Sequence, residues 1–379
     1  MASILDLPHE LIDRIVSEFQ HDLVNLPPFF QFASYVRRLD MPIMDNFLPS
    51  AILPPATLAQ LPNVTNLSAH SDPFDFRRLP TGQKSVLAEA ASRLTSVEII
   101  TDYLWPLPAW AALLNGCPAL ATLVIKAEAA YLGSWTIPWT VADFAFPMPT
   151  PSAPGTLRLR TLRVSGDCKI LVPLSAWLIP QGALATLQTL VLDVSYVRKD
   201  YSAPDARPAL VLAAAPSLRE LTLHLDPPMP LTSPDIAAPI RLTSFPRLRV
   251  LHLRDGPYAD IGASLAWLGA FLQPPSSSPH AHMHPEVSAL EALSLDHNMI
   301  RRDLLAVPVA TWCAIEEALL GGEVDAGGRG KRYPHLRSVT FKVYQKFSFG
   351  VPDVFEYFSG TVRERLPRLV ERGMLVAGR

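Results

Sequence analysis

One short motif recurs along this chain and limits the folds that it can adopt. The stretch Pro216–Leu223 reads Pro-Ser-Leu-Arg-Glu-Leu-Thr-Leu, and Pro118–Ile125, Pro246–Leu253 and Pro334–Phe341 follow the same pattern. Repeats at intervals of roughly 20–50 residues are typical of stacked architectures, in which each repeat is one structural unit. The motif therefore predicts a long molecule built by repetition.

Reduced to apolar residues at positions i, i+3 and i+5, the motif fits ten places, and six of the nine intervals between successive starts are 26–31 residues long. The regular spacing supports a real repeat, because the apolar residues alone are common in any protein core. The ten triplets are Val36/Leu39/Met41, Val64/Leu67/Ala69, Leu94/Val97/Ile99, Leu120/Leu123/Ile125, Leu159/Leu162/Val164, Leu187/Leu190/Leu192, Leu218/Leu221/Leu223, Leu248/Leu251/Leu253, Leu290/Leu293/Leu295 and Leu336/Val339/Phe341.

Positions i+3 and i+5 are two residues apart, so in a strand their side chains point to the same face. A single strand of this kind cannot bury that face, whereas a row of parallel strands can, with each connection returning along the other side. This plan resembles that of leucine-rich-repeat proteins. The resemblance implies an α/β fold, a leucine-rich-repeat solenoid in which a curved parallel sheet is backed by helices, with a short helical cap at the N-terminus.

The segments between the motifs have helical apolar spacing and fit this plan. An ordinary α/β domain with several leucine-rich strands remains the alternative, although such a domain seldom repeats so often at one interval. The predicted helices are Gln83–Ser92, Pro108–Asn115, Pro173–Ile179, Pro208–Ala214, Gly262–Leu272 and Leu304–Leu320, and four of their tryptophans (Trp110, Trp177, Trp267 and Trp312) are expected to be packing residues.

The composition restricts the classes of partner and compartment. Hydrophobic residues make up 49% of the 379 residues, and the net charge is −2 with no basic arm, so we expect no nucleic-acid partner. No apolar run is long enough for a membrane span, and the N-terminus does not resemble a signal peptide. Three widely spaced cysteines indicate reduced thiols. We therefore expect an intracellular protein, cytoplasmic or nuclear, that is monomeric apart from its partner complex.

The composition also divides the chain into regions. We expect a helical segment at 1–31, the repeats at 32–345 and a helical C-terminal cap at 346–379, where Pro367 produces a kink or two helices. Loop insertions are expected near 133–156, 273–289 and 321–331, because these stretches are rich in proline, serine or glycine. Trp135 and Trp139 lie in the first insertion, where they either anchor a partner or fold the insertion back onto the repeats.

The N-terminal segment adds a functional indication. Its sequence Leu7-Pro8-x-Glu10-Leu11, followed by Ile15, resembles the opening of an F-box. With the downstream repeats and Tyr35-Val-Arg-Arg-Leu39, the order resembles that of fungal F-box/leucine-rich-repeat proteins. This resemblance implies a substrate receptor for a cullin–RING ubiquitin ligase, in which Leu7, Pro8, Glu10, Leu11 and Ile15 bind the ligase adaptor and the repeats hold a substrate protein.

The chain departs from the F-box pattern after Asp22. It continues through Leu-Val-Asn-Leu-Pro-Pro-Phe-Phe-Gln to Tyr35, where the family has a second helical half. The apolar stripe of Leu11, Ile15 and Phe19 also suits a helix that simply caps the end of a repeat array. The alternative function is therefore a leucine-rich-repeat scaffold, or a shortened paralogue, without ligase coupling.

The sequence gives only weak indications of a metal-binding, phosphate-binding or catalytic site. His280, His282 and His284 alternate but lie in a proline- and serine-rich loop, so solvated histidines fit better than a metal site. The stretch Gly327–Arg332 lacks two positions that a phosphate-binding loop needs. No order of serine, histidine and aspartate indicates a catalytic triad. We expect neither an enzyme nor a bound cofactor or metal.

Positions i+2, i+4 and i+6 of each repeat point away from the predicted core. We expect them to line the concave face of the sheet and to contact a protein partner, because they are short or of mixed charge. A plain solvated face, with binding elsewhere, is the alternative. The residues chosen for this partner face are Arg163, Thr189, Asp193, Glu220, Thr222, His224, His252, Arg254, Ser294 and Asp296.

Overall fold

The structure is a computed structural model. It describes residues 37–41, 63–71, 89, 91–101, 107–127, 157–195, 205–225, 229–231, 240–255, 260–273, 288–298, 307–320, 333–344 and 354–378.

Parallel strands form the centre of the fold. Eleven strands make one sheet in the described residues, and each strand pairs in parallel with the strand that follows it in the sequence. The fold is therefore α/β with an all-parallel sheet in sequential order. The strands are β1 Arg38–Met41, β2 Asn66–Ser71, β3 Ser96–Thr101, β4 Thr122–Ala127, β5 Thr161–Asp167, β6 Thr189–Ser195, β7 Glu220–His224, β8 Val250–Arg254, β9 Ala292–Asn298, β10 Ser338–Tyr344 and β11 Leu375–Gly378.

All ten motifs of the sequence coincide with strands β1 to β10, and each strand begins two residues after the first apolar position of its motif. The pairing register of the strands explains why motifs and strands coincide. Leu162 of β5 pairs with Leu190 of β6, which pairs with Leu221 of β7, so that the i+3 residues form a continuous buried row. Full burial of one leucine side chain contributes roughly 1.5–3 kcal/mol. A one-residue slip would turn every leucine to the other face, so the register is strongly specified.

The backbone at the strand entries repeats as regularly as the side chains. The N–H groups of Arg160 and Thr161 both donate to the carbonyl oxygen of Ala121, at 2.8 and 2.9 Å. In the next unit, Gln188 and Thr189 donate in the same way to Arg160. Because each carbonyl receives two hydrogen bonds from the following unit, the stagger between successive strands stays constant along the sheet.

Helices lie in most of the connections, close to the predicted positions. The predicted helix from Leu304 begins later, at Val309, after Pro308, because proline has no N–H and disfavours helix at the residue before it. The β7–β8 connection has a short 3-10 turn, Leu242–Ser244. The α-helices are α1 Leu107–Leu114, α2 Leu171–Leu178, α3 Arg207–Ala214, α4 Ile261–Leu272, α5 Val309–Leu320, α6 Val354–Arg365 and α7 Pro367–Glu371.

Four tryptophans pack these helices against the sheet, as predicted. Trp110, Trp177, Trp267 and Trp312 are all buried. Trp177 donates a hydrogen bond to the side-chain oxygen of Asn115 at 2.9 Å, and Trp267 stacks on Phe271 with ring centroids 5.0 Å apart. Their role in the described structure is therefore to fill the space between helices and strands.

The C-terminal region confirms two helices divided near Pro367, since α6 ends at Arg365 and α7 begins at Pro367. It does not end in a helix, however. Gly373 has a φ of 64°, which glycine adopts readily, and turns the chain from α7 into β11. Strand β11 pairs with β10 and was not predicted from the sequence.

No helix in the described part of the chain is long and apolar enough to cross a membrane. The described cysteines form no disulfide: Cys117 and Cys168 are buried and Cys313 is exposed.

Candidate interaction surface

Strand periodicity places the predicted partner residues together. In β4 to β9, positions i+3 and i+5 are buried in the core, so positions i+2, i+4 and i+6 lie on the opposite face. We call the latter the polar face. All ten residues chosen from the sequence lie on this face of β5 to β9: Arg163, Thr189, Asp193, Glu220, Thr222, His224, His252, Arg254, Ser294 and Asp296.

Three of the ten are buried, although all ten were expected to be accessible to a protein partner. Thr222, Ser294 and Asp296 are only 9%, 6% and 9% exposed. The register aligns Thr222 with His252 and His252 with Ser294, so two short side chains flank a larger ring. Ser294 also donates a hydrogen bond to the Asp296 carboxylate at 2.9 Å. The side chains of these residues thus contact neighbouring side chains and are largely covered from solvent.

A charged cluster crosses the polar face from β6 to β9. The carboxylate of Asp193 lies 3.2 Å from Nδ1 of His224 and accepts a hydrogen bond from Arg254, also at 3.2 Å. The Arg254 guanidinium is 4.0 Å from Asp296 on its other side. Hydrogen bonding from His224 holds the pKa of Asp193 below its ordinary value, although partial burial acts in the opposite direction. The cluster therefore presents fixed charges of both signs.

Strand β7 is held in place beneath this cluster by a buried arginine. Arg207 is 1% exposed, and its guanidinium binds the Asp205 carboxylate at 2.7 Å. The same guanidinium donates to the backbone carbonyl of His224 at 2.9 Å. Because a buried arginine needs its donors satisfied, this arrangement fixes the backbone at the end of β7.

His252 lies on the polar face, on β8. Removal from water is the main cause that lowers the pKa of His252, and the Asp296 carboxylate opposes this effect. A pKa below the usual 6.5 leaves the imidazole neutral at pH 7. This position therefore offers a partner a neutral hydrogen-bonding ring beside the charges of Arg254 and Asp296.

A second charged cluster lies towards the N-terminal end of the sheet, and its acid was not among the residues predicted from the sequence. Glu98 of β3 binds Lys126 of β4 at 2.7 Å and lies 4.0 Å from Arg38. Its hydrogen bond with Lys126 lowers the pKa of Glu98. Glu98 occupies position i+4 of its repeat, so the rule that selected Arg163 also identifies it.

A small three-by-three patch on β4, β5 and β6 connects the two clusters and shares one residue with each of them. The register aligns Thr122, Thr161 and Thr189 in one row and Val124, Arg163 and Val191 in the next. Lys126, Ser165 and Asp193 form the third row. We call these nine residues the Arg163 patch, after the exposed residue at its centre.

A polar network on the core side of the sheet was also not predicted. The Asp255 carboxylate accepts a hydrogen bond from the Ser264 hydroxyl and binds Nδ1 of His297, each at 2.7 Å. Both Ser264 and His297 bond to the carboxylate, so the serine is not paired with the imidazole as a nucleophile with its base. The network ties α4 to β9 across the end of β8.

Other candidate residues fall outside the described part of the chain. These are the adaptor-binding residues Leu7, Pro8, Glu10, Leu11 and Ile15, the tryptophans Trp135 and Trp139, and the histidines His280, His282 and His284. Among the described residues, no group of three or more histidine, cysteine, aspartate or glutamate side chains is placed to hold a metal ion.

Compared with models of known protein families and with curated proteins, the chain matches none of them.

Proposed function

We propose that this chain is a leucine-rich-repeat solenoid that binds a protein partner through its polar face. The observation that supports this proposal is the sequential parallel sheet, in which every motif aligns its leucines on one side. Such a sheet leaves a long, regular surface on its other side. Repeat proteins use extended surfaces of this kind for recognition.

The chemistry of the polar face favours a protein over other ligands. Charges of opposite sign neighbour one another across its strands, as in the series of Asp193 on β6, Arg254 on β8 and Asp296 on β9. A polyanion such as nucleic acid would meet the carboxylates beside Lys126 and Arg254, which opposes binding. A protein surface with its own mixed charges suits such an arrangement, because complementary charges set orientation and exclude wrong partners.

The N-terminal segment extends the proposal to a biological role. The resemblance of Leu7-Pro8-x-Glu10-Leu11 and Ile15 to an F-box opening supports docking to the adaptor of a cullin–RING ubiquitin ligase. The chain is then a substrate receptor that performs no chemistry itself and works in the cytoplasm or nucleus. A scaffold without ligase coupling is the second candidate, because the sequence from Asp22 to Tyr35 lacks the second half of an F-box.

The two roles differ in adaptor binding, which co-purification measures. Full-length protein with an affinity tag is expressed with the adaptor, as wild type and as Leu7→Asp/Leu11→Asp. We expect wild type to retain the adaptor at near-equal molar amount and the variant to lose it, because charges on the predicted apolar stripe prevent docking. His9→Asp/Ser17→Asp is the matched control, since it adds two charges to the same segment away from the stripe of Leu11, Ile15 and Phe19.

Each result assigns a role. Retention by wild type and by the control, with loss in the Leu7/Leu11 variant, supports the substrate receptor. Failure of wild type to retain the adaptor removes ligase coupling and leaves the scaffold. Circular dichroism of all three proteins shows whether the repeats remain folded, so that a global folding defect is recognised.

A further inference from the structure

We infer that the Arg163 patch binds an acidic segment of the partner protein, with a carboxylate seated on the Arg163 guanidinium. This inference deepens the proposed function, because it rests on the polar face as a protein-binding surface and names the chemistry of what binds there. It concerns β4, β5 and β6, and is independent of the N-terminal segment.

Arg163 is exposed at the centre of the patch and has an apolar residue on either side. The register places Val124 of β4 and Val191 of β6 directly beside it. Both valines are half-buried, so each still offers apolar surface to a ligand. Among the described residues, Arg163 makes no hydrogen bond or ion pair, in contrast to Arg254 on the same face. Its five donors are thus free for a ligand.

The acids around Arg163 are already engaged. Glu220 of β7, beyond β6, accepts a hydrogen bond from the Thr189 hydroxyl at 3.3 Å. Asp193, on the diagonal from Arg163, binds His224 and Arg254. Glu98, beyond β4, binds Lys126. With strands about 4.8 Å apart and a rise of about 3.3 Å per residue, a diagonal neighbour lies about 8 Å away between Cα atoms. None of these carboxylates contacts Arg163, so its guanidinium is open to an acid from outside this sheet.

The rest of the patch suits a short stretch of polypeptide. Thr122 and Thr161 place hydroxyl groups beside the arginine row, and such groups both donate and accept hydrogen bonds. The hydroxyl of Thr189, next in this row, donates to the Glu220 carboxylate at 3.3 Å. A carboxylate accepts two parallel N–H bonds from a guanidinium, and the valines shield that pair from water. Arginine in such surroundings is a frequent site of large binding contributions in protein interfaces.

The same neighbours exclude a polyanion. Asp193 occupies one corner of the patch and Glu98 lies just beyond the opposite side, so a second phosphate next to the first would meet a carboxylate. One carboxylate flanked by apolar or hydroxyl-bearing residues fits the space between them. The occupant is therefore an acidic protein segment and not a nucleic acid.

The test is selection from a random peptide display library on immobilised full-length protein. Wild type, Arg163→Glu and the control Arg158→Glu are panned in parallel. Arg158 is an exposed arginine that precedes β5 and lies outside the patch. We expect wild type and the control to enrich peptides with aspartate or glutamate at one position, and Arg163→Glu to lose these peptides.

Binding of the enriched peptide, measured by fluorescence polarisation, completes the test. We expect Arg163→Glu to weaken binding at least tenfold, and replacement of the peptide's acid by lysine to restore binding to Arg163→Glu. Failure to enrich any peptide, enrichment without acids, or equal binding by Arg163→Glu overturns the inference.

Adaptor capture separates this result from the proposed ligase role. Arg163→Glu leaves the N-terminal segment unchanged, so we expect it to retain the adaptor whenever wild type does. If acidic peptides depend on Arg163 and no adaptor binds, ligase coupling is wrong and the acidic site stands. If the adaptor binds but peptide binding does not depend on Arg163, the inferred acidic site is wrong and ligase coupling stands.

Discussion

The ring Nδ1 of His297 lies 2.7 Å from the carboxylate of Asp255, and both side chains are buried on the leucine side of the sheet. They occupy position i+7 of neighbouring repeats, where β6 has Val194 and β10 has Val343. A polar pair here therefore replaces apolar contact at the ends of two strands. The hydroxyl of Ser264 completes the set of bonds to Asp255.

The stability losses caused by removing Asp255 and His297 should not be additive. We expect Asp255→Val and His297→Val each to lower the free energy of unfolding by about 2–4 kcal/mol, because the remaining group stays buried without its partner. The double variant should lose less than the sum of the two. Urea unfolding followed by circular dichroism gives the coupling, which we expect to be at least about 1 kcal/mol.

Valine is the appropriate replacement, since Val194 and Val343 already occupy this position in other repeats. Strictly additive losses would show that Asp255 and His297 do not act as a pair, and would contradict the buried hydrogen bond.

Gly166 of β5 has no room for a side chain. Its φ is 109°, and a Cβ atom there would lie 1.8 Å from the carbonyl oxygen of Ala127 on the neighbouring strand. We expect Gly166→Ala to lower the free energy of unfolding by about 2–4 kcal/mol, because β4 and β5 must separate or the backbone must take a strained conformation. Thermal and urea unfolding measure the change.

Gly360 provides a control of opposite sign. It is exposed within α6, and a Cβ atom added there meets nothing within 4 Å. Alanine should therefore stabilise the helix by up to about 1 kcal/mol. Equal effects of the two substitutions would show that the contact with Ala127 has no special cost.

The charged cluster of β6 to β8 predicts a defined pH dependence. His224 and Arg254 lower the pKa of Asp193 in the folded state, so the stabilisation is present above the unfolded-state pKa of about 3.9 and is lost as the pH falls through the lower folded-state value. Because the Asp193 side chain is 37% exposed, we expect Asp193→Asn to cost less than about 1 kcal/mol at pH 7. The difference from wild type should shrink below about pH 4.

Urea unfolding at a series of pH values measures this difference. Glu317→Gln serves as the control, since Glu317 is an exposed carboxylate on α5, away from the sheet. A difference between wild type and Asp193→Asn that stays constant from pH 7 to about pH 3 would show that the ion pairs of Asp193 do not stabilise the fold.

Much of this fold can be predicted from short stretches of sequence, because the residues that determine most strands lie within the strand or directly before it. Leu218, Leu221 and Leu223 lie within one strand and its entry, so their spacing alone identifies β7. Strand β11 escapes prediction because Leu375–Gly378 has no such triplet. Its extended form depends on hydrogen bonds with β10, which lies about 35 residues away along the chain.

The candidate surface was likewise only partly predictable from the sequence. Strand periodicity is enough to put Arg163, Asp193 and Arg254 on one face. It does not reveal that Thr222 and Ser294 are buried, because burial depends on the size of neighbouring side chains in the register. Nor does it identify Asp255 and His297, since polar residues at core positions are recognised only when their partners are known.

The three cysteines should differ strongly in reactivity. Burial raises the pKa of the Cys117 thiol to about 12 and is also the main cause for Cys168, again to about 12, whereas Cys313 is exposed on α5. Because the thiolate is the reactive form, we expect one fast-reacting thiol in the native protein with a thiol-specific reagent at pH 8, and three in urea. Cys313→Ser should abolish the fast reaction without altering the total of the other two. A second fast thiol in the native Cys313→Ser variant would mean that the helices beside β4 or β5 do not cover the sheet as the structure has them.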